Sequence, residues 1–253
     1  MGAFYNRIFE HGALIGPQGR CPMTRLNTRI TMLLTRLRDM RIVWDVMGSL
    51  YNRRIYDSIA ELFEYIAGEL TAQDKAQIID AGAGRGYLSL LLASRNPEAR
   101  VTGIDYSRMQ VRRAESYRRQ RNIFNCSFHH RDVLSLPFKD AAFDAAVSAG
   151  SIKHWSDSRR GLMELHRVLK PGGCLIIAET DREASDEDLR KFATRFHLPF
   201  VPKGLFFWGL RHVIFGQSFS QDQLADAVGR VGFHNVQCRR VPTCPYVIVK
   251  AWK

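Results

Sequence analysis

No stretch of the 253 residues reaches 18 consecutive apolar positions, so no segment reads as a membrane-spanning helix. Cysteine is sparse. Cys21, Cys126, Cys174, Cys238 and Cys244 form no C-x-x-C pair and no metal-ligand spacing, which excludes a zinc ribbon or a dithiol redox motif. Cys126 and Cys174 fall in apolar contexts where buried thiols are expected, and a reducing, cytoplasmic setting fits this usage. The N-terminus has neither the apolar core nor the cleavage site of a secretory leader, and Asn6 stands where a myristoylation signal wants Ser or Thr. Internal repeats and low-complexity tracts are missing. Acid is in short supply: 37 Lys and Arg against 25 Asp and Glu leave a net charge of +12. What is present is a chain 45% hydrophobic, long enough to bury a full α/β core.

The basic surplus is uneven. Residues 1–55 hold nine Arg against Glu10, Asp39 and Asp45. Residues 1–24 carry Gly12, Gly16, Pro17, Gly19 and Pro22 and read as an irregular arm. From 25 to 50, Ile30, Leu33, Leu34, Leu37, Met40, Val43, Trp44, Met47 and Leu50 recur at helical spacing, with Arg29, Arg36 and Arg41 between them. Such amphipathic helices either pack their apolar stripe on a neighbouring domain or hold a basic face near anionic lipid or an acidic partner. A second cluster, Arg108, Arg112, Arg113, Arg118, Arg119 and Arg121, reads as the solvated face of a later helix.

The strongest local signal is IIDAGAGRGYLSLLLA, Ile78 to Ala93. A short apolar run passes into glycines at 82, 84 and 86 and then into an apolar helix. Glycine lets the backbone turn sharply and approach a ligand closely, and free N–H groups at the helix start would face that ligand. The spacing G-x-G-x-G differs from the wider dinucleotide fingerprint. Asp80 precedes the turn, and a carboxylate there suits a ligand with a positively charged amino group better than a pyrophosphate. A second strand, Val101 to Asp105, ends in another acid 25 residues on, the place where a carboxylate takes both hydroxyls of a ribose. A third, from Phe128, leads to Asp132, and a fourth is Phe143 to Ser148. Leu169-Lys170-Pro171-Gly172-Gly173 then breaks a helix before a fifth strand, Cys174 to Glu179.

In this order the elements resemble the class I S-adenosylmethionine-dependent methyltransferases. The resemblance rests on the DAGAGRG turn, the strand-end Asp105, the RDVLSLPFKDAAFDAAVS run and the RVLKPGG turn. It covers roughly residues 55–180 and, more loosely, the last 30 or so. It implies a Rossmann-like, doubly wound α/β fold: a seven-stranded sheet with a final antiparallel strand, an N-terminal helical extension and a lid insertion after the fifth strand. The expected division is a basic arm with amphipathic helices over 1–55, then a methyltransferase domain over 56–253 with an insertion at about 181–219. Ser185 and Ser220 are expected to cap helices on either side of that insertion. Its aromatic run from Phe196 to Trp208, punctuated by Pro199, Pro202 and Gly204, is expected neither to alternate as a strand nor to form one continuous helix.

The implied cofactor is S-adenosylmethionine. By the resemblance, Asp80 and the backbone of Gly82 and Gly84 would hold its methionine end, and Asp105 its ribose. Tyr106 would cover one adenine face, while Asp132 and the Val133 N–H meet the adenine edge. Ser148 and Ala149 would pass near the sulfonium, and Tyr51 and Tyr56 would close over the methionine carboxylate. His129 and His130 read as strand-face residues. No metal is expected. His154 is the candidate general base, with Glu179 and Asp181 next, and Lys153 is a candidate for meeting an acidic or phenolic substrate.

Missing motifs narrow the acceptor. After the fourth strand stands Ser148-Ala149-Gly150-Ser151, where enzymes acting on exocyclic amines of nucleic-acid bases carry N/D-P-P-aromatic. The Pro-Cys nucleophile of cytosine-C5 enzymes and the cysteine pairs of arsenite methylation are missing too. What is left resembles the small-molecule branch, similar to the ubiquinone and menaquinone C-methyltransferases. That branch implies methyl transfer to oxygen or carbon of a lipophilic, aromatic or quinone-like acceptor. Phe207 and Trp208 would then serve as a lid on the acceptor pocket. Peripheral membrane contact through residues 25–50 is compatible with such a substrate, and DNA is not an expected partner. Two other readings stay open: an RNA methyltransferase using the N-terminal arginines on phosphates, and a cofactor-binding homologue without methyl transfer.

Overall fold

A computed structural model describes residues 59–70, 75–196, 202–242 and 244–253. The arm, the amphipathic stretch over 25–50, Tyr51 and Tyr56 lie outside the described residues. A helix, α1, occupies 59–69. Then follow β1 (Gln77–Ala81), α2 (Tyr87–Arg95), β2 (Arg100–Asp105), α3 (Arg108–Gln120), β3 (Cys126–His130) and β4 (Phe143–Ala149). A single 3₁₀ turn, Ile152–His154, leads to α4 (Ser158–Val168) and β5 (Leu169–Thr180). Beyond it come α5 (Asp186–Ala193), α6 (Lys203–Gly209), a π-helical turn (Leu210–Phe215), α7 (Gln221–Gly229), β6 (His234–Arg240) and β7 (Tyr246–Trp252).

The strands form one seven-stranded sheet in the order β3-β2-β1-β4-β5-β7-β6. β1 pairs in parallel with both β2 and β4, so strand order reverses there and the chain leaves a crevice at the C-terminal edge. β7 runs antiparallel to both β5 and β6, in agreement with the expected final antiparallel strand. The middle strands are apolar on both faces, as a sheet covered on both sides requires. Ile78, Val101, Ala145, Val147 and Ile176 belong to one buried cluster with α1, α2 and α5. Their neighbours Ile79, Ile104, Ala146, Leu175 and Ile177 belong to the other, under α4 and α7. Leu162, Leu165 and Val168 of α4 show no exposed surface, and each such side chain contributes roughly 1.5–3 kcal/mol by leaving water.

The helix caps follow side-chain chemistry. Ser107, Asp157, Ser185 and Ser220 each accept a backbone N–H three residues on, and Ser220 with Gln223 completes a capping box. One expectation changes. The Lys170-Pro171-Gly172-Gly173 segment is not a turn ahead of β5 but a bulge within it: Phe143 pairs with Leu169 and Ala145 with Cys174, so the intervening residues leave the ladder. Pro171 has no N–H to give the ladder, and a bulge accommodates it. In the insertion, α6 and the π-helical turn run without a break from 203 to 215, while Phe196 and Pro202 stand outside any helix. Pro202 is the N-cap of α6, a position that needs no intrahelical N–H, and so starts the helix rather than breaking it.

Candidate functional site

The crevice at the C-terminal ends of β1, β2 and β4 is a cleft of about 470 Å³, inside the range of small-molecule sites. Its first wall is the glycine turn. The Gly82 and Ala83 N–H groups both donate to the Ile104 carbonyl, at 2.9 Å each, and Gly84 N–H donates to Asp105 Oδ2 at 2.9 Å. The turn's donors are therefore spent on β2, which fixes its shape, rather than left free toward the cleft. Gly82 has φ +78° and a Cβ there would overlap Ser151 Oγ, while a Cβ on Gly86, at φ +80°, would overlap the Phe128 ring. Both positions demand glycine for conformation and for space.

Asp105 closes the bottom of this wall. One carboxylate oxygen accepts Gly84 N–H and the other accepts Ser107 N–H at 2.8 Å. Two backbone bonds hold the group in place at the mouth of the cleft. Tyr106 beside it is 59% exposed. Beyond β3, Asp132 Oδ1 accepts Leu134 N–H at 2.9 Å, and Arg131, Asp132, Val133 and Leu134 complete that side. This loop is held from behind by α4. Arg167 donates to the carbonyls of Leu136 and Phe138 and to Asp140, while buried Glu164 accepts Leu136 N–H at 2.7 Å. The Arg167 hydrogen bond holds the Glu164 carboxyl below its usual range, against the effect of burial.

The opposite wall follows β4. Ala149, Gly150, Ser151, His154, Trp155 and Ser156 line it. Ser151 Oγ accepts the Trp155 indole N–H at 2.8 Å. The Trp155 ring lies on bare Gly161 of α4, where a Cβ would overlap it.

The structure thus brings Gly82, Gly84, Asp105, Tyr106, Asp132, Val133 and His154 to one cleft. Five other expected residues lie elsewhere. Asp80 is 1% exposed beneath the turn and accepts Ser89 Oγ–H at 2.6 Å. Burial pushes its carboxyl up to about 7, with the Ser89 bond opposing and the Asp105 charge adding to the rise. Ser148 is fully buried one residue short of the lining, its hydroxyl without a hydrogen-bond partner. Lys153 turns away from the cleft into a buried ion pair with Glu179 at 2.5 Å. Phe207 and Trp208 do not line the cleft. Phe207 lies under the Arg190 guanidinium and packs on the α5 side of the core, and Trp208 rests on His212. The helical geometry of α6 turns Phe207 toward α5 and Trp208 toward the π-helical turn, beside an aromatic cluster in which Phe192 meets Phe196 and Phe215, and Phe196 meets Phe206.

Residues that sequence reasoning missed include Ser107 and Gln110, which line the cleft from the start of α3. The pattern Ser107-x-x-Gln110 carried a cap signal that would have placed them there. Ser151 and Trp155 had none, since their contact is made across a turn. No group of three or more His, Cys, Asp or Glu able to hold a metal occurs among the described residues.

A methyltransferase-domain family matches residues 72–210. An O-methyltransferase of Aspergillus nomiae is 32% identical over 143 residues, covering 55% of this chain and 63% of that protein. A demethylmenaquinone methyltransferase of Thermus thermophilus is 38% identical over 103 residues, 41% of this chain and 46% of its own. A 2-methyl-6-phytyl-1,4-hydroquinone methyltransferase of rice is 36% identical over 104 residues, 40% of this chain and 29% of its own. The chain thus spans under two thirds of the length of each of these relatives. Among solved structures, a methyltransferase of Haloferax volcanii in complex with the activator Trm112 superposes with a TM-score of 0.65 at 19% identity, covering 85% of this chain and 98% of that one. A methyltransferase of Aquifex aeolicus gives 0.59 at 17%, covering 87% and 97%. At such identities the structures speak for the fold. The family match runs from ahead of β1 to the end of α6, more than half of the chain and all of the cleft, and it places the protein among the S-adenosylmethionine-dependent methyltransferases.

Proposed function

We propose that this protein transfers a methyl group from S-adenosylmethionine to oxygen or carbon of a lipophilic, aromatic or quinone-like small molecule. The observation that carries the reading is that His154 and Trp155, following β4, share one cleft with Asp105 at the end of β2. The cleft fits the cofactor on its own features: bare glycine at 84 with open space where a Cβ would sit, a carboxylate held by two backbone bonds at its mouth, and a volume suited to one such molecule. Asp105 would accept from the ribose hydroxyls, Tyr106 would cover the adenine, and Asp132 with Val133 N–H would read its edge. The Gly82 and Gly84 backbone would flank the methionine end, while Asp80 acts on its ammonium through its charge. The sulfonium supplies an activated methyl group when bound, so positioning of the acceptor accounts for much of the acceleration. His154 would then take a proton from a phenolic or hydroquinone hydroxyl, and Trp155 would offer an apolar wall. The relatives named for O-methylation and for menaquinone and phytyl-hydroquinone methylation favour this acceptor class.

No helix among the described residues is long and apolar enough to cross a membrane. Peripheral contact through residues 25–50 is part of the same proposal, since it would bring the site to a lipid-borne acceptor. The test combines methyl-labelled S-adenosylmethionine with a panel of naphthohydroquinones, benzohydroquinones and phenols, and with total RNA in parallel. Label in the organic phase supports the reading. Label only in RNA, or cofactor binding with no labelled product from the panel or a cell extract, overturns it.

A further inference from the structure

Lys153 and Glu179 form an ion pair buried on both sides, with side-chain exposures of 6% and 0%. Such pairs add little stability compared with apolar residues of the same volume, so their placement calls for another account. Lys153 Nζ donates to Glu179 Oε1 at 2.5 Å and to Thr180 Oγ1 at 3.1 Å. The Lys153 N–H faces Glu179 Oε2 at 3.4 Å, and the Thr180 N–H and hydroxyl both donate to Oε1. Glu179 Oε1 thus takes three donors, and the carboxylate's lack of exposure keeps it from touching an acceptor as a base. Burial is the largest single influence and would raise its carboxyl, but the Lys153 charge and hydrogen bond together with the Thr180 N–H hold it below the ordinary range.

The pair joins the end of β5 to the Ile152–His154 turn, and the residue after Lys153 is the histidine on the cleft. The same turn is gripped twice more, by Ser151 against bare Gly82 and by the Trp155 indole on Ser151. We propose that Lys153 and Glu179 are positioning residues, a buried clamp that sets the Ile152–His154 turn so that His154 stands at one place on the cleft wall. The proposal rests on the proposed function only for why that placement matters. The Glu179 charge also reaches His154. The other charged groups lining the cleft are Asp105, Asp132, Arg85 and Arg131, and the test leaves all four intact.

In the full chain, the His154 ring C–H signal is followed by NMR through a pH titration, with His154→Gln giving its assignment. Glu179→Gln leaves the Lys153 ammonium without its partner and is expected to lower the His154 midpoint by about half a pH unit or more. Affinity for S-adenosylmethionine, by calorimetry, is expected to stay within about twofold of wild type. The double variant Lys153→Met/Glu179→Gln removes both charges, and it is expected to recover thermal stability while His154 stays displaced or broadened, because the clamp is gone. A folded double variant whose His154 signal matches wild type in position and width overturns the proposal, as does an unmoved midpoint in folded Glu179→Gln. If Glu179→Gln does not fold, the double variant decides on the same terms. A wild-type protein that binds no S-adenosylmethionine would end the functional reading and leave the His154 result to be judged alone.

Discussion

Asp80 is a carboxylate that the fold holds at a cost, and Asp80→Asn exposes that cost. The group is 1% exposed, and its visible partner is the Ser89 hydroxyl at 2.6 Å. A rise from 3.8 to about 7 means that ionising it in the folded chain costs about 4 kcal/mol more than in the unfolded chain, at about 1.4 kcal/mol per unit. The sign follows from proton binding. The native state holds this proton more tightly than the unfolded state, so stability falls as pH rises from about 4 to about 7 and is level beyond. Between pH 5 and pH 8 the loss assigned to this one group is about 2–3 kcal/mol, or roughly 5–10 °C in Tm for a domain of this size. Asn has the same shape, can accept from Ser89 and does not titrate.

Thermal or urea unfolding of wild type and Asp80→Asn at pH 5, 6.5 and 8 measures this directly. The expected outcome is that Asn gains on Asp as pH rises, by about 2–3 kcal/mol across the range. A difference that stays constant with pH refutes the reasoning. The expected penalty lies in function: at pH 8 the Asn variant should bind S-adenosylmethionine at least about tenfold more weakly, since a charge that serves an ammonium is lost. Stability gained where binding is lost is the pattern of a group kept for its ligand.

Asp105→Ala should lower S-adenosylmethionine affinity at least about tenfold by calorimetry, because it removes the acceptor for two hydroxyls at 1.5–3 kcal/mol for each charge-assisted bond; unchanged binding would remove Asp105 from the site. Gly82→Ala should abolish cofactor binding even where circular dichroism shows a folded chain, since its Cβ overlaps Ser151 Oγ; full binding would refute the fit of the turn. Arg167→Met should lower Tm and weaken cofactor binding together by freeing the loop that carries Asp132. Because the Glu164 carboxyl is held low in the folded state, its stabilisation should be present above its unfolded value near 4.5 and disappear as pH falls through the lower folded value; a variant with an unchanged acid limb of stability would contradict this. Phe207→Ala/Trp208→Ala should lower Tm while leaving the acceptor KM near wild type, and the reverse result would restore these rings to a lid.

What was legible from sequence alone was what chain order encodes locally. Asp80, Asp105 and Asp132 stand at or beyond strand ends because apolar runs stop there, and the glycines at 82 and 86 announce a turn because other residues take that backbone only under strain. The serine caps at 185 and 220 were legible for the same reason, since each bonds a neighbour three residues away. Lys153 was not. Its partner is 26 residues on and becomes a neighbour through the pairing of β4 with β5, a register in which Ser148 stands beside Ile177 and Ala149 beside Ala178. Nothing near Lys153 in the chain distinguishes a lysine that meets substrate from one that meets Glu179.

The aromatic insertion shows the same limit from the side of composition. Five aromatic residues in thirteen say that a surface will be covered, but the identity of that surface depends on helix phase. Pro202 starts a helix, and from there the angular positions of Phe206, Phe207 and Trp208 follow at about 100° per residue. Phe206 meets Phe196, and Phe207 falls under Arg190, while Leu205 between two helical turns is left 60% exposed. That exposed leucine, rather than Phe207 or Trp208, is the residue of α6 with apolar surface to spare. If any part of α6 moves against a second molecule, Leu205→Gln should alter that contact without lowering Tm, because the side chain surrenders little burial. A Tm loss from Leu205→Gln as large as that from Phe207→Ala would mean the helix is packed on every side.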